Sequence, residues 1–150
     1  MSQSLCGVFI HLVFSTKNRA PLIVPGIRDR LYEYLGGILS QKGCTPVLQG
    51  GVADHVHCLF VLNPVPGLSE IIRELKAGSS KWIHESFPEQ SGFAWQAGYG
   101  AFSVSASNLE GVKRYIAAQE EHHRKGTFQE EYVSLLKKYD IPYDEKYIWT

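Results

Sequence analysis

An excess of charge of either sign is missing from this chain: 15 Lys and Arg stand against 15 Asp and Glu, for a formal net charge of zero at pH 7. That balance argues against a protein that coats nucleic acid by bulk charge. The balance is uneven along the chain, however. Residues 1–75 carry six basic and five acidic side chains, residues 76–126 carry six and five, and residues 127–150 carry three and five. An acidic end therefore masks a slightly basic body. The pairs Lys17/Arg19, Lys113/Arg114 and Arg124/Lys125 read either as phosphate contacts or as ordinary solvated surface. Cysteine is scarce. Cys6, Cys44 and Cys58 are odd in number and match no zinc spacing, which fits free or buried thiols in a reducing cytoplasm. No apolar run approaches the ~18 residues of a membrane span. The run from Leu5 to Phe14 is interrupted by His11, with no basic segment before it and no small-residue cleavage site after it, so no signal peptide is expected. Internal repeats and low-complexity segments are also lacking. The expectation is a soluble, cytoplasmic protein with no membrane partner.

What is present suits a compact fold. In 150 residues, 44% are hydrophobic and 12% aromatic, enough to bury a core without staples. One domain over 1–150 is expected, with its core at about 6–125 and a C-terminal helix and tail at about 127–150. Residues 6–15 read as a strand with Val8, Ile10, Leu12 and Phe14 on one face and Phe9, His11 and Val13 on the other. A loop with Lys17, Asn18, Arg19 and Pro21 follows. A helix from Pro25 to about Lys42 carries the stripe Ile27, Leu31, Leu35 and Ile38, and Gly43 ends it. Strands at 44–50 and 55–62 flank the turn Val52-Ala53-Asp54 and form a hairpin. A second helix spans about 68–86, a strand about 99–105, and a third helix about 108–124. Thr127-Phe128-Gln129-Glu130 has the form of a capping box, so a fourth helix starts there and ends near Tyr139. The last ten residues read as an extended tail. The order β-α-β-β-α-β-α-α is that of an α+β fold: a ferredoxin-like or RRM-like split βαβ sandwich, with an antiparallel sheet and two helices on one face. The other face is left for the third helix or for a ligand.

His55 and His57 lie two apart in an apolar strand, so both imidazoles point to one sheet face while Val56, Cys58, Phe60 and Leu62 point to the other. Two adjacent imidazoles can hold one metal ion. They can equally be two polar residues on a wet face. Asp54 is placed to orient a histidine or simply to close the turn. On the third helix, Tyr115 and Gln119 are four apart and share a face, beside a stripe of Leu109, Val112 and Ile116. A tyrosine next to a metal is a candidate nucleophile, although its unperturbed pKa of about 10 means it needs activation. The alternative is an amphipathic helix with a half-buried tyrosine.

These residues carry a family resemblance. Asp54-His55-Val56-His57 is an HUH motif, and Gly111 through His123, with Tyr115 and Gln119, resembles the tyrosine helix of the single-tyrosine HUH transposases of small hairpin-ended insertion sequences (TnpA-like). The blocks His11–Arg19, Ile72–Lys76 with Ser79-Ser80, and Trp95–Ser105 resemble that family in the same order, so the likeness runs from residue 6 to about 139. The resemblance implies a C-terminal tyrosine-bearing helix on the ferredoxin-like core. It makes His55, His57 and Gln119 the metal ligands and Tyr115 the nucleophile toward single-stranded DNA with hairpin ends, through a 5′-phosphotyrosine. Magnesium is the implied ion, with manganese an alternative suited to two imidazoles and an amide oxygen. A homodimer with active sites shared between subunits is also implied. Candidate DNA contacts are Lys17, Arg19, Lys76, Lys81, Lys113 and Arg114, which would position the strand through phosphates. Trp82, Trp95 and Tyr99 are candidates for base stacking, with core packing the competing role for Trp82. His122 and His123 read as surface or supporting residues, since Gln119 completes a ligand trio. Two other functions compete: an inactive or domesticated hairpin-binding module of the same fold, and a metal phosphodiesterase that uses water and leaves Tyr115 idle.

Overall fold

The structure, a computed structural model, describes residues 2–150. Its elements follow the expected order: β1 (Phe9–Ser15), α1 (Pro25–Gln41), β2 (Thr45–Val52), β3 (His55–Val61), α2 (Leu68–Ser86), β4 (Gly100–Val104), α3 (Leu109–Ala117), α4 (Gln119–His123) and α5 (Phe128–Lys138). The four strands form one antiparallel sheet in the order β2-β3-β1-β4. This is the ferredoxin-like arrangement read from the sequence. Among the described residues no helix is long and apolar enough to cross a membrane.

Period two divides the sheet. Ile10, Leu12, Phe14, Val56, Cys58 and Phe60 pack with Ile27, Leu31 and Leu35 of α1 and Ile71, Leu75 and Ile83 of α2. Each fully buried aliphatic or aromatic side chain of this kind contributes about 1.5–3 kcal/mol. The opposite face carries His11, Val13, His55, His57 and Leu59. It is covered as well: Ile116 of α3 packs on Leu59 and Val104, and Phe128, Tyr132 and Leu136 of α5 pack on Val13 and Phe102. The register sets Val13 opposite His57 and Ser15 opposite His55, which brings His11 diagonally beside His57 on that second face.

Two segments differ from the sequence reading. The helix expected over about 108–124 is interrupted at Ala118, whose φ of −96° and ψ of 18° leave the helical region. The bend lets α3 lie on β2 while Gln119 turns inward and is buried. The close approach is possible because β2 has Gly50 there: a Cβ on it would sit 2.9 Å from Ile116 Cγ2 and 3.3 Å from the Ile116 carbonyl oxygen. The tail is turned rather than extended. Its Tyr143, Ile148 and Trp149 have an apolar cluster to join, that of α5 and β4.

Candidate active site

The start of β3 delivers both histidines to the second face, fully buried. His55 is held from behind: its Nδ1 lies 2.7 Å from Asp54 Oδ1. His57 is held in the same way, its Nδ1 lying 2.7 Å from Nε2 of His11 on β1, with the two rings stacked at 5.0 Å between centroids. Anchoring one ring nitrogen fixes the orientation of the other. Both Nε2 atoms therefore face the same point, and at that point stands a carboxylate. Oε1 of Glu131 lies 3.0 Å from His55 Nε2 and 3.2 Å from His57 Nε2. It is also 3.2 Å from His123 Nε2. The other oxygen, Oε2, accepts from Gln119 Nε2 at 3.0 Å and from the hydroxyl of Tyr115. The amide oxygen of Gln119 in turn lies 3.0 Å from His55 Nε2. The Tyr115 ring sits edge-on to His57 at 5.8 Å.

The expected residues His55, His57, Tyr115 and Gln119 thus converge within one chain. Glu131, the residue at their centre, is absent from the sequence reading, as is the part played by His11. A signal for Glu131 existed. Phe128, Tyr132, Leu135 and Leu136 make the apolar stripe of α5, and Glu131 falls on that stripe one turn from Phe128, where a charge has no ordinary reason to be. His123 also comes closer than expected, with its Nδ1 3.1 Å from the Gly126 carbonyl oxygen. His122 is half-exposed and 3.6 Å from Glu131 Oε2.

The electrostatics follow from this crowding. Burial opposes a charge on Glu131, but hydrogen bonds from His123, His55 and His57 outweigh it and hold the carboxyl far below its usual range. Burial also opposes a charge on His55. Asp54 and Glu131 override it and raise the imidazole to about 9. His11 goes the other way, pushed down to about 3 by burial and by the neighbouring His57. Burial likewise lowers His57. Burial, together with the adjacent carboxylate of Glu131, pushes the Tyr115 phenol well above its ordinary value. These shifts favour the charged form of Glu131, the protonated form of His55 and the neutral form of Tyr115.

The donor set suits a divalent cation. One ligand atom from each of His55, His57 and Glu131 lies within 4.8 Å of the others, all three residues are buried, and both imidazoles already have their far nitrogens tied. Two imidazoles and one carboxylate oxygen are a recurrent set for zinc and serve manganese or magnesium when further oxygens come from a substrate.

The basic candidates lie elsewhere. Lys17 and Lys81 are exposed, and Lys81 is 4.0 Å from Glu85. Arg19 lies over the Trp149 ring at 5.6 Å. Lys113 is 3.4 Å from Glu110, and Arg114 is exposed on the same helix. Lys76 directs its three donors inward, to the carbonyl oxygens of Gln96, Ala97 and Gly98. Of the aromatic candidates, Trp95 is buried with its Nε1 donating to Ser79, Trp82 stacks on Tyr34 at 4.8 Å, and Tyr99 is exposed.

The model of the family described as "Transposase IS200 like" matches residues 4–119. The chain belongs to that family. Among individual relatives, the ISDra2 transposase TnpA of Deinococcus radiodurans is 25% identical over 114 residues, spanning 73% of this chain and 81% of that protein. A Deinococcus radiodurans R1 protein solved crystallographically as a candidate transposase superposes with a TM-score of 0.65 at 25% identity, over 79% of this chain and 98% of the other. A REP-associated tyrosine transposase, solved bound to a REP hairpin, superposes with a TM-score of 0.61 at 16% identity, over 82% of this chain and 74% of the other, and shares the fold. This IS200-like transposase is thus matched by its family model up to Gln119 and no further, so Glu131 and the whole of α5 lie outside the match.

Proposed function

We propose that this transposase cuts and rejoins single-stranded DNA at hairpin-bearing ends, with Tyr115 as the nucleophile. One observation carries the reading. The Tyr115 hydroxyl donates to the same carboxylate that faces both His55 and His57, so nucleophile and ligand set share one centre. The phenol oxygen attacks the scissile phosphorus, and the bond from phosphorus to the 3′ oxygen breaks. The phenol proton is released as the departing 3′ oxygen takes one up. A 5′-phosphotyrosine and a free 3′-hydroxyl result. Attack by another 3′-hydroxyl reverses the step and joins new ends, with no nucleotide consumed because the phosphotyrosine keeps the bond energy. His55, His57 and Glu131, with Gln119 beside them, would hold a divalent ion, magnesium by expectation and manganese as the alternative. When bound, that ion supplies charge neutralisation at the phosphate. His11 and Asp54 keep the two imidazoles aimed.

Lys17 and Arg114 are exposed, Lys81 and Lys113 would have to exchange Glu85 and Glu110 for a phosphate, and Arg19 lies near Lys17 just after β1. A homodimer accords with the resemblance, while the convergence of Tyr115 with His55 and His57 in one chain supports a centre complete in each protomer.

The test is covalent capture. A labelled single strand containing an end hairpin, incubated with the protein and Mg²⁺ or Mn²⁺, should give an adduct that survives denaturation and disappears in Tyr115→Phe. Cleavage without an adduct would mean attack by water. Binding without cleavage would mean a hairpin-binding module.

A further inference from the structure

Glu131 departs from what the rest of the site leads one to expect. It is a carboxylate on the apolar stripe of a helix, almost wholly buried, and among the described residues its only ion-pair partners are histidines: His55, His57, His122 and His123. An isolated buried carboxylate is costly, and its usual remedies are a fixed cation or a metal. Among the described residues no lysine or arginine reaches it. Its two oxygens divide their partners. Oε1 faces the two inward nitrogens of β3, at 3.0 and 3.2 Å. Oε2 faces the amide of Gln119 and the hydroxyl of Tyr115. Gln119 offers a single neutral oxygen, 3.0 Å from His55 Nε2 and also within reach of His57, and its amide nitrogen is spent on Glu131.

We infer that Glu131 bridges the centre, with Oε1 as a protein ligand of the divalent ion and Oε2 holding the Tyr115 hydroxyl, so that one side chain fixes the tyrosine relative to the metal. This rests on the metal and tyrosine reading above and goes beyond it in two ways. It ranks Glu131 above Gln119 as the third ligand. It also assigns a working part to α5, which lies outside the region matched by the family model. Glu131 is then a positioning residue for the tyrosine, and misplacement of a nucleophile by even an ångström costs rate.

The helix does not need this carboxylate in order to dock. Phe128, Tyr132 and Leu136 anchor α5 on Val13 and Phe102, the Phe128 ring lies 4.6 Å from that of His55, and Thr127 caps the helix. Glu131→Ala should therefore fold, which its melting curve checks. Glu131→Gln keeps the shape and serves as the milder variant.

The decisive measurement is Mn²⁺ binding to the whole chain, by calorimetry and by the Mn²⁺ electron paramagnetic resonance spectrum, with no DNA present. Glu131→Ala should weaken Mn²⁺ at least tenfold and Glu131→Gln by less, with Gln119→Ala weakening it less than Glu131→Ala. In single-turnover adduct formation, Glu131→Gln should slow the step at saturating DNA at least tenfold and leave the half-saturating DNA concentration unchanged. Mn²⁺ affinity within twofold of the native protein in Glu131→Ala would overturn the inference. So would an adduct formed as fast as, or faster than, in the native protein, since Glu131 would then be a plug that DNA must displace. His57→Ala separates the two readings: if it binds Mn²⁺ as the native chain does, the metal site itself is wrong and both readings fall.

Discussion

At the scale of single residues, the site's titrations give the metal-free protein a pH profile whose direction can be worked out. His55 is raised in the fold to about 9, so its contribution is fully present below its ordinary 6.5 and is lost as pH climbs from there through 9. His11 is depressed to about 3, and His57 is depressed too, so the fold loses stability as pH drops below 6.5 and the unfolded chain takes up protons that these two rings refuse. Glu131 acts in the same direction on the acid side, its carboxylate being favoured only in the fold. The melting temperature of the metal-free chain should therefore peak near pH 6–7 and decline on both sides. Saturating Mn²⁺ should flatten the alkaline decline, because a metal takes the place of the proton on His55. A melting temperature that rises steadily from pH 6.5 to 9 without metal would refute this account. Only part of this residue-level picture is legible in the sequence. Strand periodicity puts His55 and His57 side by side, and the family resemblance points to Tyr115 and Gln119. The pairing of His11 with His57 depends on the β1–β3 register, which a single sequence does not specify. Glu131 is marked only by its place on the apolar stripe of α5, and its partners are not: a capping box announces where α5 starts but not which surface it seeks.

At the scale of elements, the hairpin β2–β3 leaves no room at Gly51. A Cβ on Gly51 would lie 2.3 Å from the His55 carbonyl oxygen and 3.0 Å from Val56 Cα, both backbone atoms with nowhere to retreat. Gly51→Ala should lower the melting temperature by roughly 5–10 °C, about 2–3 kcal/mol. Because the displaced strand carries both histidines, Mn²⁺ affinity should fall with it. Scanning calorimetry and metal titration on that variant check the point, and a native melting temperature would refute it. The elements themselves are largely readable: α2 is found where the apolar stripe of Leu68, Ile71, Ile72 and Leu75 puts it, and Asn63-Pro64 marks the end of β3. The break at Ala118 is not readable. No proline or glycine marks it, and it arises from the demand that Ile116 pack on Gly50 while Gln119 faces His55. Tertiary packing there overrides a locally continuous helix.

At the scale of the whole molecule, both faces of the sheet are covered, by α1 and α2 on one side and by α3 to α5 on the other. With zero net charge, the DNA affinity that the proposed function requires would come from a few placed cations rather than from a general field. For a single strand, each neutralised phosphate adds about −0.7 to the slope of log affinity against log salt. A slope no steeper than about −3 is expected, with Lys113→Ala and Arg114→Ala each reducing it by about 0.7. Fluorescence anisotropy on a hairpin strand across a salt series measures it. A slope near −6 would mean that a basic surface has been overlooked. The antiparallel sheet with two helices on one face is legible because it follows from element order and period. The covering of the second face was legible only as an alternative between helix and ligand.

The position of Glu131 late in the chain has a temporal consequence. Synthesis runs from the N-terminus, so the sheet, both β3 histidines and Tyr115 leave the ribosome before the carboxylate that gathers them. A nascent or prematurely terminated product ending anywhere between Gln119 and Glu131 would hold the whole family-matched region yet lack the group at its centre. Products truncated before Glu131 would thus be born without the carboxylate that His55, His57, Gln119 and Tyr115 meet in the fold.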